Sequence, residues 1–138
     1  MSSLGVFVHG KKVKLGVWNL VGLGGSNPTP FHTPSELSEE QIESTLDKAG
    51  INEFSIVLCH PPPYGVFDLV GAVHTGSKAV RKMVEEKKPI LLICGHIHEY
   101  EGKEILGDTL IVKLAPAEKL RAAEIMIDDA IDVKFIDL

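Results

Sequence analysis

The sequence predicts an α/β domain: a mixed β-sheet with flanking helices. Three observations carry this. Residues 55–94 run strand, helix, strand at the lengths of a βαβ crossover. A separate amphipathic helix with its own start and stop signals precedes them. The segments before residue 24 and after residue 108 read as strands joined by turns. The 138 residues suit one domain, residues 1–138, and no repeat, linker or low-complexity stretch divides them.

Val6–His9 and Val13–Leu23 are rich in apolar and β-branched residues, and Gly10-Lys11-Lys12 between them suggests a hairpin. Gly24-Gly25-Ser26-Asn27-Pro28-Thr29-Pro30 then breaks regular structure, and a loop continues to Pro34. Ser38 followed three residues later by Gln41 is a capping-box pattern. Glu39 and Glu40 favour the positive end of the helix dipole. Ile42, Leu46 and Ala49 form one apolar face, and Gly50 is the expected stop.

Ser55–His60 is a short apolar strand ended by Pro61-Pro62-Pro63, since proline has no N–H for the ladder. After a loop to Gly76, a second helix is expected over Ser77–Glu86. Ala79, Val80, Met83 and Val84 face inward, and Arg81/Glu85 and Lys82/Glu86 pair on the wet side. Pro89 closes it, and Ile90–Cys94 is the next strand. A right-handed crossover makes the two strands parallel. The tail reads as three strands, Thr109–Leu114, Ala122–Ile127 and Val133–Ile136, with turns at Gly107-Asp108 and Asp128-Asp129.

Composition excludes several functions. The net charge is −5 and no basic stripe with interleaved aromatics appears, so no nucleic-acid surface is expected. No apolar run approaches the roughly 18–20 residues that cross a bilayer. Met1–Gly5 lacks the basic and apolar regions of a signal peptide, so a cytoplasmic location is the default expectation. Cys59 and Cys94 end apolar runs and read as buried free thiols, ahead of a metal ligand or a disulfide.

The most informative segment is Leu91-Leu92-Ile93-Cys94-Gly95-His96-Ile97-His98-Glu99. In extended backbone, residues two apart share a face, so His96 and His98 point the same way. They follow a buried strand, at the end where open α/β sheets bind ligands. His60 follows the other strand of the crossover. If the strands are neighbours, about 4.8 Å separates them. Three imidazoles at one sheet edge suit zinc, manganese or iron. The alternative is that some are surface or capped core histidines. His9 and His32 read as solvated. His74, just before the expected second helix, is a candidate substrate contact, because free N–H groups at a helix start can receive a phosphate. The plainer reading is a Thr75 or Ser77 cap with His74 on the loop surface. Asp68, Asp108 and Glu99 are the nearest carboxylates, without the spacing of a metal-bridging aspartate.

These residues resemble the C-terminal half of the calcineurin-like metallophosphoesterase family. Gly95-His96-Ile97-His98 matches its GHxH signature, and His60 its preceding metal histidine. Gly24–Phe31 and His74–Arg81 are similar to a small prokaryotic subgroup, and the likeness covers nearly all of the chain. It implies a β-sandwich with flanking helices, of which this chain carries part. It also implies a divalent metal (Mn, Zn or Fe), with His60 and His96 serving one ion and His98 the other. The implied reaction is hydrolysis of a phosphomonoester or phosphodiester. The family's Asp-x-His, Gly-Asp and Gly-Asn-His/Asp motifs are not found in these residues. Two dications held close together repel unless anionic ligands bridge them. The chain by itself is therefore expected to hold metal weakly, with no catalytic residue assignable. Self-association, or pairing with a separately encoded N-terminal half, would complete the site and cover exposed edges. The competing expectations are an inactive remnant serving as a binding or oligomerisation module, and a mononuclear enzyme. Lys113, in the stretch Val112–Pro116, is expected near the site or facing solvent.

Overall fold

A computed structural model of the chain describes residues 12–15, 17–24, 37–95, 101–114, 121–127 and 131–137. The expected strand Val6–His9, the loop 25–36 with His32, the pair His96 and His98, Glu99 and the turn at Asp128-Asp129 lie outside them.

The elements in chain order are β1 (Lys12–Leu15), β2 (Trp18–Leu23), α1 (Glu39–Lys48), β3 (Ser55–Cys59), β4 (Leu69–Val70), β5 (Val73–His74), α2 (Lys78–Lys87), β6 (Leu91–Cys94), β7 (Gly102–Leu106), β8 (Thr109–Lys113), β9 (Arg121–Ile127) and β10 (Ile131–Asp137). Six strands form a mixed sheet in the order β1-β2-β3-β6-β8-β7. β2, β3, β6 and β8 run parallel, while β1 and β7 close the edges antiparallel. This is the mixed α/β sheet expected, with the βαβ crossover from β3 through α2 to the adjacent β6.

Strand alternation divides the apolar residues between two faces. Val21, Val57, Cys59, Leu92, Cys94 and Ile111 pack with Ile42 and Leu46 of α1 and with Val80, Met83 and Val84 of α2. Ile56, Leu91 and Val112 point the other way, where Val133, Ile125, Ile127 and Phe135 of the β9–β10 hairpin cover them. Helices on one face and a two-stranded ribbon on the other satisfy a sheet that is apolar on both.

Both helices start as their sequences dictate. Ser38 caps α1 with the full reciprocal box: the Gln41 N–H donates to Ser38 Oγ at 3.1 Å, and the Ser38 N–H to Gln41 Oε1 at 2.8 Å. Ser77 Oγ accepts from the Val80 N–H at 3.1 Å, and Lys88 ends α2 in the left-handed region at φ 53°.

Several details differ from the sequence reading. Val13–Leu23 is not one strand: Lys12–Leu15 and Trp18–Leu23 pair antiparallel, with Leu15 opposite Trp18, while the strand Val6–His9 expected before Gly10–Lys12 lies outside the described residues. β7 was not foreseen, because its exposed Lys103 and Glu104 break the apolar pattern. Arg81 and Glu85 meet at 3.5 Å as expected, whereas Lys82 bonds Glu43 of α1 instead of Glu86. The packing of α1 against α2 brings the longer-range partner closer. Among the described residues, no helix is long and apolar enough to cross a membrane.

Candidate functional site

The site is built at the C-terminal ends of β3 and β6. β3 stops at Cys59 because three prolines follow, which leaves the exposed His60 as the first residue past the ladder. Parallel pairing carries the two strand ends to the same edge, Leu58 opposite Ile93. The Gly95 N–H donates to the His60 carbonyl at 3.0 Å. A Cβ placed on Gly95 would stand 3.9 Å from His60 Nδ1, so the imidazole lies against this glycine. The structure thus brings His60 to the residue directly before His96. His96 and His98 lie outside the described residues, and among the described residues no three His, Cys, Asp or Glu side chains converge.

Behind this edge lies a buried sulfur and nitrogen group. Cys59 and Cys94 are free and buried, as the sequence suggested. Burial pushes the Cys59 thiol well up, with nearby Cys94 adding to the effect. Burial also pushes the Cys94 thiol up to about 12, against the opposing pull of Lys113. Such thiols stay protonated and are poor metal ligands. Lys113 pairs opposite Cys94 and is fully buried, so the solvent-facing alternative does not hold. Its Nζ donates to the Leu114 carbonyl at 2.9 Å, and burial lowers its pKa.

The loop between β3 and α2 is organised by Asp68, which is 2% exposed. Asp68 Oδ2 accepts from the Gly65 N–H at 2.8 Å and the Gly76 N–H at 3.0 Å. Its Oδ1 lies 2.8 Å from His74 Nδ1. The Thr75 N–H and hydroxyl both donate to the Asp68 carbonyl, at 2.9 and 2.8 Å. The loop closes where Tyr64 and Ser77 bond across it: the Tyr64 N–H donates to the Ser77 carbonyl and the Ser77 N–H to the Pro62 carbonyl. Phe67, immediately before Asp68, sits at φ 53°, a costly position for a bulky residue.

The start of α2 corrects one expectation. Its first-turn amides are not open to a phosphate, because the Glu39 carboxylate of α1 already occupies them. Glu39 accepts from the Ser77 hydroxyl at 2.7 Å, the Ala79 N–H at 3.1 Å and the Lys78 N–H at 3.3 Å. A fixed carboxylate satisfies both the orphan donors and the dipole that would draw a free anion. The Ser77 cap is present, and His74 stands on the loop surface.

Sequence reasoning named Asp68 only as a nearby carboxylate without metal-bridging spacing, and Glu39 only for the dipole of its own helix. Asp68 left one signal, a lone carboxylate within Val66-Phe67-Asp68-Leu69-Val70, which apolar neighbours would bury. Glu39 left none, since it reads fully as a first-turn residue of its own helix.

Comparison with known proteins adds to this geometry. A family model described as metallophosphoesterase, calcineurin superfamily, matches residues 46–129. The uncharacterised protein MJ1162 of Methanocaldococcus jannaschii is 37% identical over 123 residues, covering 84% of this chain and 56% of that protein. The UPF0046 protein K07C11.7 of Caenorhabditis elegans is 33% identical over 72 residues, 52% of this chain and 25% of that protein. The chain therefore spans about half of the first relative's length and a quarter of the second's. Among solved structures, TT1561 of Thermus thermophilus aligns with TM-score 0.60 at 15% identity, over 94% of this chain and 58% of that one. Another aligns with TM-score 0.70 at 20% identity, over 94% and 53%. At such identities these show a shared fold.

Proposed function

The chain belongs to the metallophosphoesterases of the calcineurin superfamily, and from that premise we propose that it carries one side of a phosphate-ester-hydrolysing metal site. His60, His96 and His98 are its metal ligands. The observation that carries this reading is the contact between His60 and Gly95, which sets the first histidine beside the start of the His-Ile-His segment. The superfamily generally uses divalent metals. Three neutral imidazoles suit zinc, manganese or iron, and a bound ion supplies Lewis-acid polarisation of phosphoryl oxygens. The chain's own part is to hold the imidazoles at the sheet edge, on strands packed from both faces. Three neutral imidazoles bring no negative charge to offset a dication, so binding by this chain alone is weak. The substrate class is a phosphomonoester or phosphodiester.

The test is calorimetric titration of the chain with Zn²⁺ and Mn²⁺, beside His60→Ala. We expect saturable binding by the native chain and a loss of about tenfold or more in the variant. Equal affinity in both would overturn the ligand assignment.

A second reading, an association module, is favoured by exposed apolar residues. Ile105 on the edge strand β7 is 71% exposed, and Met126 on β9 is 60% exposed. Here the chain pairs with itself or with a separate N-terminal half. Sedimentation of the isolated chain tests self-pairing: a monomer at all concentrations removes it.

A further inference from the structure

We propose that Asp68 and His74 form a phosphoryl-recognition unit, in which His74 touches a substrate oxygen through Nε2 and Asp68 is the residue that positions it. The identity of the ligand rests on the phosphoesterase reading; the unit itself rests on its geometry.

A buried carboxylate is costly unless its oxygens are fully engaged. Asp68 has 1% side-chain exposure, and three donors engage it. Two of them, the Gly65 and Gly76 amides, serve the loop. The third is the imidazole of His74, a side chain that remains 40% exposed. Loop closure does not need this bond, because the Tyr64, Thr75 and Ser77 backbone bonds already supply it. An ionised carboxylate only accepts hydrogen bonds, so His74 Nδ1 carries a proton. Nε2 is the nitrogen left for a ligand; it is an acceptor in this tautomer, so the P–OH of a phosphoryl monoanion donates to it, and transfer of that proton leaves an Nε2–H donor facing the dianion. A histidine whose ring and tautomer are set by a buried carboxylate is the arrangement that acid–base and ligand-binding imidazoles use.

The backbone is specialised to make this pair. A Cβ on Gly76 would fall 2.6 Å from the Pro63 carbonyl oxygen and 2.9 Å from Asp68 Oδ2, so only glycine lets the loop close over the carboxylate. Phe67 holds a left-handed conformation directly before Asp68, a strain of about 1–3 kcal/mol of the kind that gathers at binding sites. The surroundings suit an anion. The Tyr64 ring lies 5.2 Å from the His74 ring, and Lys78 Nζ lies 5.2 Å from the Tyr64 centroid. The loop leaves the sheet one residue after His60 and is pinned back at Pro63 and Ser77. The unit is therefore anchored to the strand end that carries the proposed metal ligand. Because Glu39 fills the amides of α2, the anion is met by side chains and not by the helix start.

Phenylphosphonate, whose P–C bond resists hydrolysis, is the probe. The full chain, labelled with ¹⁵N at histidine, is titrated with it while the ring signals of His74 are followed. We expect the Nδ1–H tautomer in the free protein and a saturable shift of His74. His74→Gln should weaken phenylphosphonate by about tenfold, the loss of one charge-assisted bond, with Zn²⁺ affinity unchanged. Asp68→Asn tests the positioning role. Its amide oxygen must serve the two glycine N–H groups, which turns its NH₂ toward His74 and forces the Nε2–H tautomer. If Asp68 positions His74 for the ligand, that flip changes the phenylphosphonate affinity, whereas a carboxylate that serves only the loop leaves it unchanged. No saturable shift of His74 up to about 50 mM probe, or equal affinity in His74→Gln, overturns the proposal. The free-state tautomer and His74→Gln decide it even if Asp68→Asn fails to fold. The Zn²⁺ response of His60 reads the metal assignment separately.

Discussion

Removing the Glu39 carboxylate should cost stability and open an anion site that the native protein lacks. In Glu39→Ala the Lys78 and Ala79 amides and the Ser77 hydroxyl lose their shared partner. The Ser77 hydroxyl still accepts from the Val80 N–H, so one cap survives. Losing a capping side chain costs about 0.5–2 kcal/mol, and losing a charge at the dipole about 0.3–1 kcal/mol. Glu39 is half-buried, so we expect about 1–2 kcal/mol in total, read as a lower urea midpoint with unchanged slope. The vacated helix start should then take up phosphate. If it binds with a Kd of about 10 mM, then about 100 mM phosphate restores roughly 1.4 kcal/mol through RT ln(1 + [L]/Kd). The assay is urea unfolding of both proteins with and without phosphate, at ionic strength matched by chloride. Equal stabilisation of both by phosphate, or a variant within about 0.3 kcal/mol of the native chain, would refute the claim that Glu39 fills this position.

Four further outcomes are expected. Gly76→Ala should destabilise by about 2 kcal/mol or more in urea unfolding, because its Cβ meets the Pro63 backbone and cannot be relieved by a rotamer change. Thiol labelling of the native chain should be slow and should track unfolding, since Cys59 and Cys94 are buried and held protonated. Their raised pKa values also give a sign. Above the unfolded thiol value of about 8.5 the unfolded state binds fewer protons than the folded state, so this contribution falls from about pH 9 toward the Cys94 value of about 12. A Cys59→Ala/Cys94→Ala double variant should lose that alkaline decline. Lys113→Met should raise stability by about 1 kcal/mol, because burial disfavours the ammonium. Here the folded pKa is the lower one. The gain is complete below it and shrinks toward the unfolded value of about 10.4, which paired urea curves near neutrality and near pH 10.5 would show.

The two helices and the crossover were legible because their determinants are local. Ser38 with Gln41 names the start of α1 before any tertiary contact exists, and Pro61 through Pro63 must end β3 wherever it packs. The alternation in β3, β6 and β8 specified two buried faces, though not that helices would cover one and the β9–β10 ribbon the other. β7 was hidden because an edge strand with Lys103 and Glu104 exposed need not look apolar.

The chemistry divides in the same way. His60 and the His-Ile-His segment could be read from the chain, because residue type and strand ends suffice to nominate metal ligands. That β3 and β6 are neighbours, so that His60 comes to Gly95 just before that segment, appears only in the fold. His74 was nominated by the sequence, but its bond to Asp68 and the roles of Asp68 and Glu39 come from the tertiary structure. Asp68 joins amides at residues 65 and 76, and Glu39 spans from one helix to the start of the other. A sequence records which groups can donate and accept. Which donor faces which acceptor is decided when the loop closes and the helices pack, because burial then makes each unpaired polar group too costly to leave.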